Sequence, residues 1–288
     1  MIVVKIKGGL GNQLFQYAVG YALAKKNNTK LRLYDQTGNS GIARNYWLNH
    51  FNTSGRRLNK LEDFLYRAQN KIALKVKFLE KYKYMYYLQH DEDISIQEQV
   101  FSFGKNTALD GYYQNEIYFK EYASDLRNEF TLRDKLSPYS EEMLKKIQAS
   151  ENPVFLHVRR GDYVESSETN KVHGTCSIDY YNQCVQYIQQ SVNHPTFFIF
   201  SDDPDWAKAN IQTNQVNEVS YNDASKTTED MILMSSCKHA IIANSTFSWW
   251  GAWLIPNSEK VVCAPRLWWA SKTEADTDLI VPRDWTKF

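Results

Sequence analysis

Cysteine is scarce in this chain of 288 residues: Cys176, Cys184, Cys237 and Cys263 are all it has. No two form a C-x-x-C pair and none has zinc-site spacing to a histidine, which argues against a metal framework. Four scattered thiols in so long a chain fit a reducing compartment and read as small apolar core residues. An excess of one charge is missing too, with 34 Lys and Arg against 33 Asp and Glu. That balance argues against a dedicated nucleic-acid binder. No apolar run approaches the roughly 18 residues that span a bilayer. The opening Met1-Ile2-Val3-Val4-Lys5-Ile6 is too short for a signal-peptide core and reads as a strand. The expected location is therefore the cytoplasm. Internal repeats and low-complexity stretches are also lacking. What is plentiful is aromatic: 19 Tyr and 8 Trp, side chains that line sites for sugars and bases as well as cores. The length fits one large or two medium domains.

The apolar pattern predicts a strand over 2–6, a glycine-rich break, a helix carrying Leu14, Tyr17, Ala18, Tyr21 and Ala22, and a strand over 31–34 ended by Asp35. Residues 135–149 read as a capped helix near a domain boundary. From Pro153 a second series alternates strands (154–158, 196–201, 239–243, 260–264) with helices (178–192, 204–211, 227–236, 246–254). Such alternation means an α/β fold with parallel sheets covered on both faces. We expect two Rossmann-like domains, 1–150 and 151–288, facing across a cleft. Residues 56–83 differ. Leu58, Leu61, Leu65, Ala68, Ile72, Val76 and Leu79 share one helical face, and nine Lys and Arg stand against three acids. A solvated face is the plain reading; contact with anionic lipid at the cytoplasmic face of a membrane is the sharper one.

Four segments carry chemistry. His157-Val158-Arg159-Arg160-Gly161-Asp162-Tyr163 follows an apolar strand, where parallel sheets place ligands. Paired arginines there suit a diphosphate, with one contacting the anion and the other bracing acids. A surface double arginine paired with Asp162 is the competing reading. Asn244-Ser245-Thr246-Phe247 opens a helix after a strand, which makes either an anion site or a simple cap. The adjoining Trp249 and Trp250 read as core. Gly8-Gly9-Leu10-Gly11-Asn12-Gln13 permits close backbone approach, and Asn12 and Gln13 add side-chain amides. It lacks the G-K-[ST] of a P-loop, and Leu14 stands where a dinucleotide fingerprint needs its third glycine, although Asp35 sits where a ribose-binding acid would. Asp202-Asp203-Pro204-Asp205 contains a D-x-D, but Asp203 ahead of Pro204 reads as a helix cap rather than a metal ligand.

Together these segments resemble glycosyltransferase family 11, the α-1,2-fucosyltransferases. The likeness rests on His157 to Tyr163, on Gly8 to Ala18 (GGLGNQLFQYA), on Asn244 to Leu254 (NSTFSWWGAWL), and on Phe200 to Asp203 and Asp110 to Gln114. It implies a GT-B-type fold with the nucleotide on the second domain. It also implies GDP-β-L-fucose as donor, a terminal galactose on an oligosaccharide or lipid-linked glycan as acceptor, inversion at the anomeric carbon, and no metal or other cofactor. By the resemblance Arg159 grips the β-phosphate with Arg160 in support, and His157 and Asp202 lie near guanine or ribose. Gly11 and Asn12 approach from the first domain, and Ser245, Thr246 and Phe247 hold the diphosphate. The base that deprotonates the acceptor is expected among Asp162, Glu165 and Glu168; a structural Asp162 paired with arginine remains open. Two other readings stand beside this one: a dinucleotide-dependent oxidoreductase built on Gly9, Gly11 and Asp35, and a non-catalytic sugar-nucleotide or glycan-binding protein.

Overall fold

A computed structural model describes residues 1–38, 45–73, 85–90, 93–160, 174–213 and 217–288. The chain divides into two compact units, Met1–Arg133 and Asp134–Phe288.

The first unit is a five-stranded parallel sheet with strand order β3-β2-β1-β5-β4. Strand β1 (Ile2–Ile6) is central, flanked by β2 (Leu31–Asp35) and β5 (Thr107–Asp110); β3 (Arg56–Arg57) and β4 (Met85–Leu88) are the edges. Between β1 and β2 runs helix α1 (Leu10–Lys26). It is buried on all sides, not on one face as its spacing suggests, because aromatic residues from 119–130 cover its outer side. Phe15 meets Phe119, and Tyr17 meets Phe130 edge-on. The Tyr17 hydroxyl donates to Glu129 and accepts from the Gly55 backbone. Helix α2 (Lys60–Ala73) anchors through Tyr66, which is buried with Val3 and Ala108. A short helix α3 (Ala123–Glu129) completes the unit.

The second unit opens with α4 (Pro138–Ala149), capped by Ser137 with proline in the first turn. The compact units part at 133/134, where the sequence suggested 150. Glu229 accepts from the Ser137 backbone (3.0 Å) and hydroxyl (2.6 Å), and Asn222 donates to the buried Ser140 (3.0 Å), so α4 is held by its own C-terminal neighbours. A six-stranded parallel sheet follows, in the order β11-β10-β9-β6-β7-β8. Its strands are β6 (Asn152–Val158), β7 (Pro195–Ser201), β8 (Asn217–Val219), β9 (His239–Ile241), β10 (Val262–Ala264) and β11 (Thr286–Lys287). Helices α5 (Ile178–Ser191), α6 (Pro204–Asn210), α7 (Thr227–Ser235), α8 (Thr246–Leu254) and α9 (Glu274–Thr277) connect them. Central β6 pairs with β7 and β9 and is buried from Pro153 to Val158, as a strand covered on both faces must be. Trp249 and Trp250 are fully buried, the core role their sequence position suggests. All four cysteines are free thiols; burial pushes the Cys176 thiol up to about 12 and keeps it protonated.

Candidate active site

The carboxyl end of β6 is where the second unit concentrates charge. Parallel pairing sets Val158 beside Ser201, so the next residues outward are Arg159 and Asp202. Asp202 takes the Arg159 guanidinium on one oxygen (3.0 Å) and the Arg160 backbone N–H on the other (2.8 Å). A carboxylate with both oxygens engaged this way fixes the fork of Arg159 in direction. Arg160 turns the opposite way. It lies over the Trp206 ring at 3.8 Å and pairs with Asp203 at 3.5 Å. Asp203 in turn caps α6 by accepting from the Trp206 N–H at 3.2 Å. One arginine thus lines the end of the strand while the other braces the next helix, the division that alternation along a strand requires. Asp202, expected near base or ribose, is engaged as the orienting partner of Arg159.

His157 sits one residue inside the strand end and is 4% exposed. Burial, with the nearby Arg159 charge second, lowers its pKa to about 3, so the ring is neutral at pH 7. Its Nδ1 is buried and makes no hydrogen bond among the described residues. The ring meets Phe247 edge-to-face at 5.5 Å, which joins β6 to the start of α8. There Ser245 is the N-cap, its hydroxyl accepting from the Phe247 N–H at 3.3 Å, and Thr246 is the first helical residue. Asn244 is buried and donates to the carbonyls of Gly174 (3.1 Å) and Trp268 (3.3 Å). The sequon Asn244-Ser245-Thr246 is therefore a folding element with its amide inside. Asn244 also lies in the wall of a cavity of about 530 Å³ at the carboxyl ends of β9 and β10.

Gly11 and Asn12 belong to the first unit. Gly8 has φ +78°, a left-handed turn in which an added Cβ would lie 2.9 Å from the Asn12 amide nitrogen. Asn12 accepts from Gln114 at 2.8 Å, tying the glycine turn to the Asp110–Gln114 segment. Gly11 is buried in the first turn of α1. Gln13 does not serve as a ligand-facing amide. It donates to the carbonyls of Gly8 (2.9 Å) and Asn45 (2.7 Å) and accepts from the Trp47 N–H (2.9 Å), so its hydrogen-bonding groups hold the backbone. Asp35 is likewise committed, to Thr37 (2.8 Å) and Arg57 (2.9 Å), which removes the ribose-binding acid of the dinucleotide reading. Asp162, Glu165 and Glu168 lie outside the described residues.

One acid escaped the sequence reading. Asp230, in the first turn of α7, accepts from Asn222 (2.8 Å) and Ser220 (3.1 Å) on the same oxygen, and burial raises its pKa to about 6. In sequence it is one of an acidic pair at a helix start, a pattern the helix dipole explains without a site.

Two successive parallel α/β units, the second with an oriented arginine at the end of its central strand and a capped helix start, make this a chain of the GT-B fold class. The structural likenesses agree in fold. The NodZ α-1,6-fucosyltransferase soaked with GDP-fucose superposes with a TM-score of 0.53 at 13% identity, covering 88% of this chain and 92% of that one. A point mutant of Arabidopsis thaliana FUT1 in complex with GDP gives 0.52 at 11%, covering 91% and 69%. In sequence, the profile of glycosyl transferase family 11 matches residues 1–288, and the chain belongs to that family. An α-1,2-colitosyltransferase of Escherichia coli is 33% identical over 100% of this chain and 98% of its own length. The E. coli O-antigen biosynthesis glycosyltransferase WbnK is 32% identical over 94% and 95%. Human galactoside α-(1,2)-fucosyltransferase 1 is 28% identical over 51% of this chain and 42% of its own. Membership in a transferase family sets the oxidoreductase reading aside.

Proposed function

We propose that this enzyme transfers L-fucose from GDP-β-L-fucose to the 2-hydroxyl of a terminal galactose, on an oligosaccharide or a lipid-linked glycan, to form an α-1,2 link. The observation that carries the reading is the Asp202-oriented Arg159 beside the start of α8. It suits a leaving group that gains negative charge. As the bond between the anomeric carbon and the β-phosphate oxygen lengthens, charge builds on GDP, and Arg159 together with the N–H groups that open α8 stabilises it more than the ground state. Neutral His157 closes the strand end, its buried Nδ1 making no hydrogen bond among the described residues. The acceptor oxygen attacks from the opposite face, the new C–O bond forms as the old one breaks, and a carboxylate takes the hydroxyl proton. Asp162 is the first candidate for that base and Glu165 the next. The charge stabilisation comes from protein groups, so turnover in EDTA is expected.

A second donor is favoured by one finding: the colitosyltransferase likeness spans the whole chain. The test gives the enzyme GDP-fucose or GDP-colitose with lactose, with and without EDTA, beside Arg159→Ala. Fucosylated product that survives EDTA and falls roughly 100-fold or more in the variant is expected. Product from GDP-colitose alone moves the donor. GDP release without product keeps the donor and rejects the acceptor. No turnover and no GDP binding by calorimetry refute the GDP-sugar reading and leave a glycan-binding protein.

A further inference from the structure

The cavity of about 530 Å³ in the second unit lies at the carboxyl ends of β9, β10 and β11, where parallel sheets place ligands, and is the size of a small-ligand cleft. Its floor is Tyr180 with Pro265 and Phe288. The Tyr180 hydroxyl is spent on the carbonyls of Ile242 (2.6 Å) and Cys263 (3.4 Å), so this residue gives the cavity only its ring. Phe288 is held in place by the Tyr187 ring at 5.2 Å and by backbone bonds to Ala264 (3.0 Å) and Arg266 (2.7 Å). The rim is Gln183 of α5, Arg266, and Glu274 of α9. All three are exposed, and their side chains make no hydrogen bond or ion pair among the described residues.

An amide, a guanidinium and a carboxylate around an aromatic floor both donate and accept. That set suits a ring with apolar faces and hydroxyls at its edge, which is a pyranose. Glu274 disfavours an anion here, and the polar rim disfavours an acyl chain. The position is informative too. Asn244, in the cavity wall, immediately precedes Ser245, the N-cap of α8. Along the sheet the cavity lies on the β10 side of Arg159, and Asp202 lies on the β7 side.

We propose that this cavity seats a pyranose ring of the acceptor glycan, so that the second unit binds acceptor as well as donor. The inference rests on the transferase reading above. Gln183 and Arg266 donate to ring hydroxyls, Glu274 accepts from them, and Tyr180 and Phe288 take the apolar face. A ring held beside the start of α8 is held beside the diphosphate that leaves, which is the proximity the transfer needs.

The experiment compares the wild type with Arg266→Ala/Glu274→Gln. Lactose binding is read by saturation-transfer NMR, GDP binding by calorimetry, and KM is measured for lactose and for GDP-fucose. In the variant the Kd and KM for lactose should rise roughly ten-fold or more, with GDP affinity and the KM for GDP-fucose unchanged. Both side chains are exposed, and retained GDP binding shows that the variant is folded. Lactose binding that the variant leaves unchanged overturns the proposal. So does a rise in the KM for GDP-fucose without one for lactose, which makes the cavity part of the donor site. A wild type that binds GDP but not lactose overturns the subsite and leaves the transferase reading standing. Lactose binding that needs Arg266 and Glu274, in a protein that does not bind GDP, supports the subsite and refutes the donor instead.

Discussion

Replacing Glu229 with glutamine tests the clasp that assigns α4 to the second unit. Glu229 accepts from the Ser137 backbone and hydroxyl and from the Lys226 ammonium at 2.8 Å, and its side chain is 11% exposed. Burial alone would raise its pKa; the hydrogen bonds from Lys226, Ser137 and Ser140 outweigh that and hold it at about 2, against an ordinary value of 4.5. A group depressed this far contributes stability above pH 4.5 that is lost as pH falls towards 2, because the unfolded chain takes up the proton first. At 1.36 kcal/mol per pKa unit the contribution is about 3 kcal/mol, with little screening at such low exposure. Glutamine keeps an acceptor for Ser137 but gives up the charge, so Glu229→Gln should cost roughly 1.5–3 kcal/mol at pH 7. Tryptophan fluorescence in urea reads this well, since every tryptophan except Trp47 lies in the second unit. The variant should be less stable at pH 7, and the gap should close between pH 4.5 and about 2. A gap that stays constant with pH would refute the assignment of the stability to the ionised carboxylate.

Three further outcomes follow from the site. Asp202→Asn keeps an acceptor for the Arg160 N–H but removes the charge that orients Arg159, so kcat/KM should drop about 10- to 100-fold. The stability loss should stay within about 1–2 kcal/mol, since the pair is partly solvated; unchanged kcat/KM in a folded variant would remove Asp202 from the mechanism. His157 should show no imidazole inflection by NMR between pH 4 and pH 8, and an inflection near its ordinary value of 6.5 would mean the ring is solvated. Because the folded ring resists protonation, it lowers stability as pH falls below 6.5. Gly8→Ala places a side chain at φ +78° against Asn12, so a loss of about 1–3 kcal/mol in thermal stability is expected, and a neutral effect would show that the turn can relax.

Much of the second unit was legible because its strands are runs of buried apolar residues and its helices carry their own caps. Helix α8 spans 246–254 as its pattern predicts, and Asp203 caps α6 as its place before Pro204 suggests. In the first unit β1, α1, β2 and the helical face that α2 realises could be read. Strand β3 is two arginines, β4 is largely exposed, and β5 has only four residues. None carries a pattern of its own, and each is a strand because a neighbour in the sheet pairs with it.

The sequence by itself determined the fold class, the segments that carry the chemistry, and the residue types an anion needs, because periodicity, caps and glycine turns act over a few residues. Only the tertiary structure decided which partner each group has. Register between β6 and β7 brings Asp202 to Arg159. Packing of α4 on α7 moves the unit boundary to 133/134. Loop geometry commits Gln13 and Asp35 to backbone and side-chain partners, and the anchoring of Tyr66 turns the apolar stripe of α2 outward. Each is a contact between residues far apart in the chain, and no local pattern encodes which of several acids or amides will arrive.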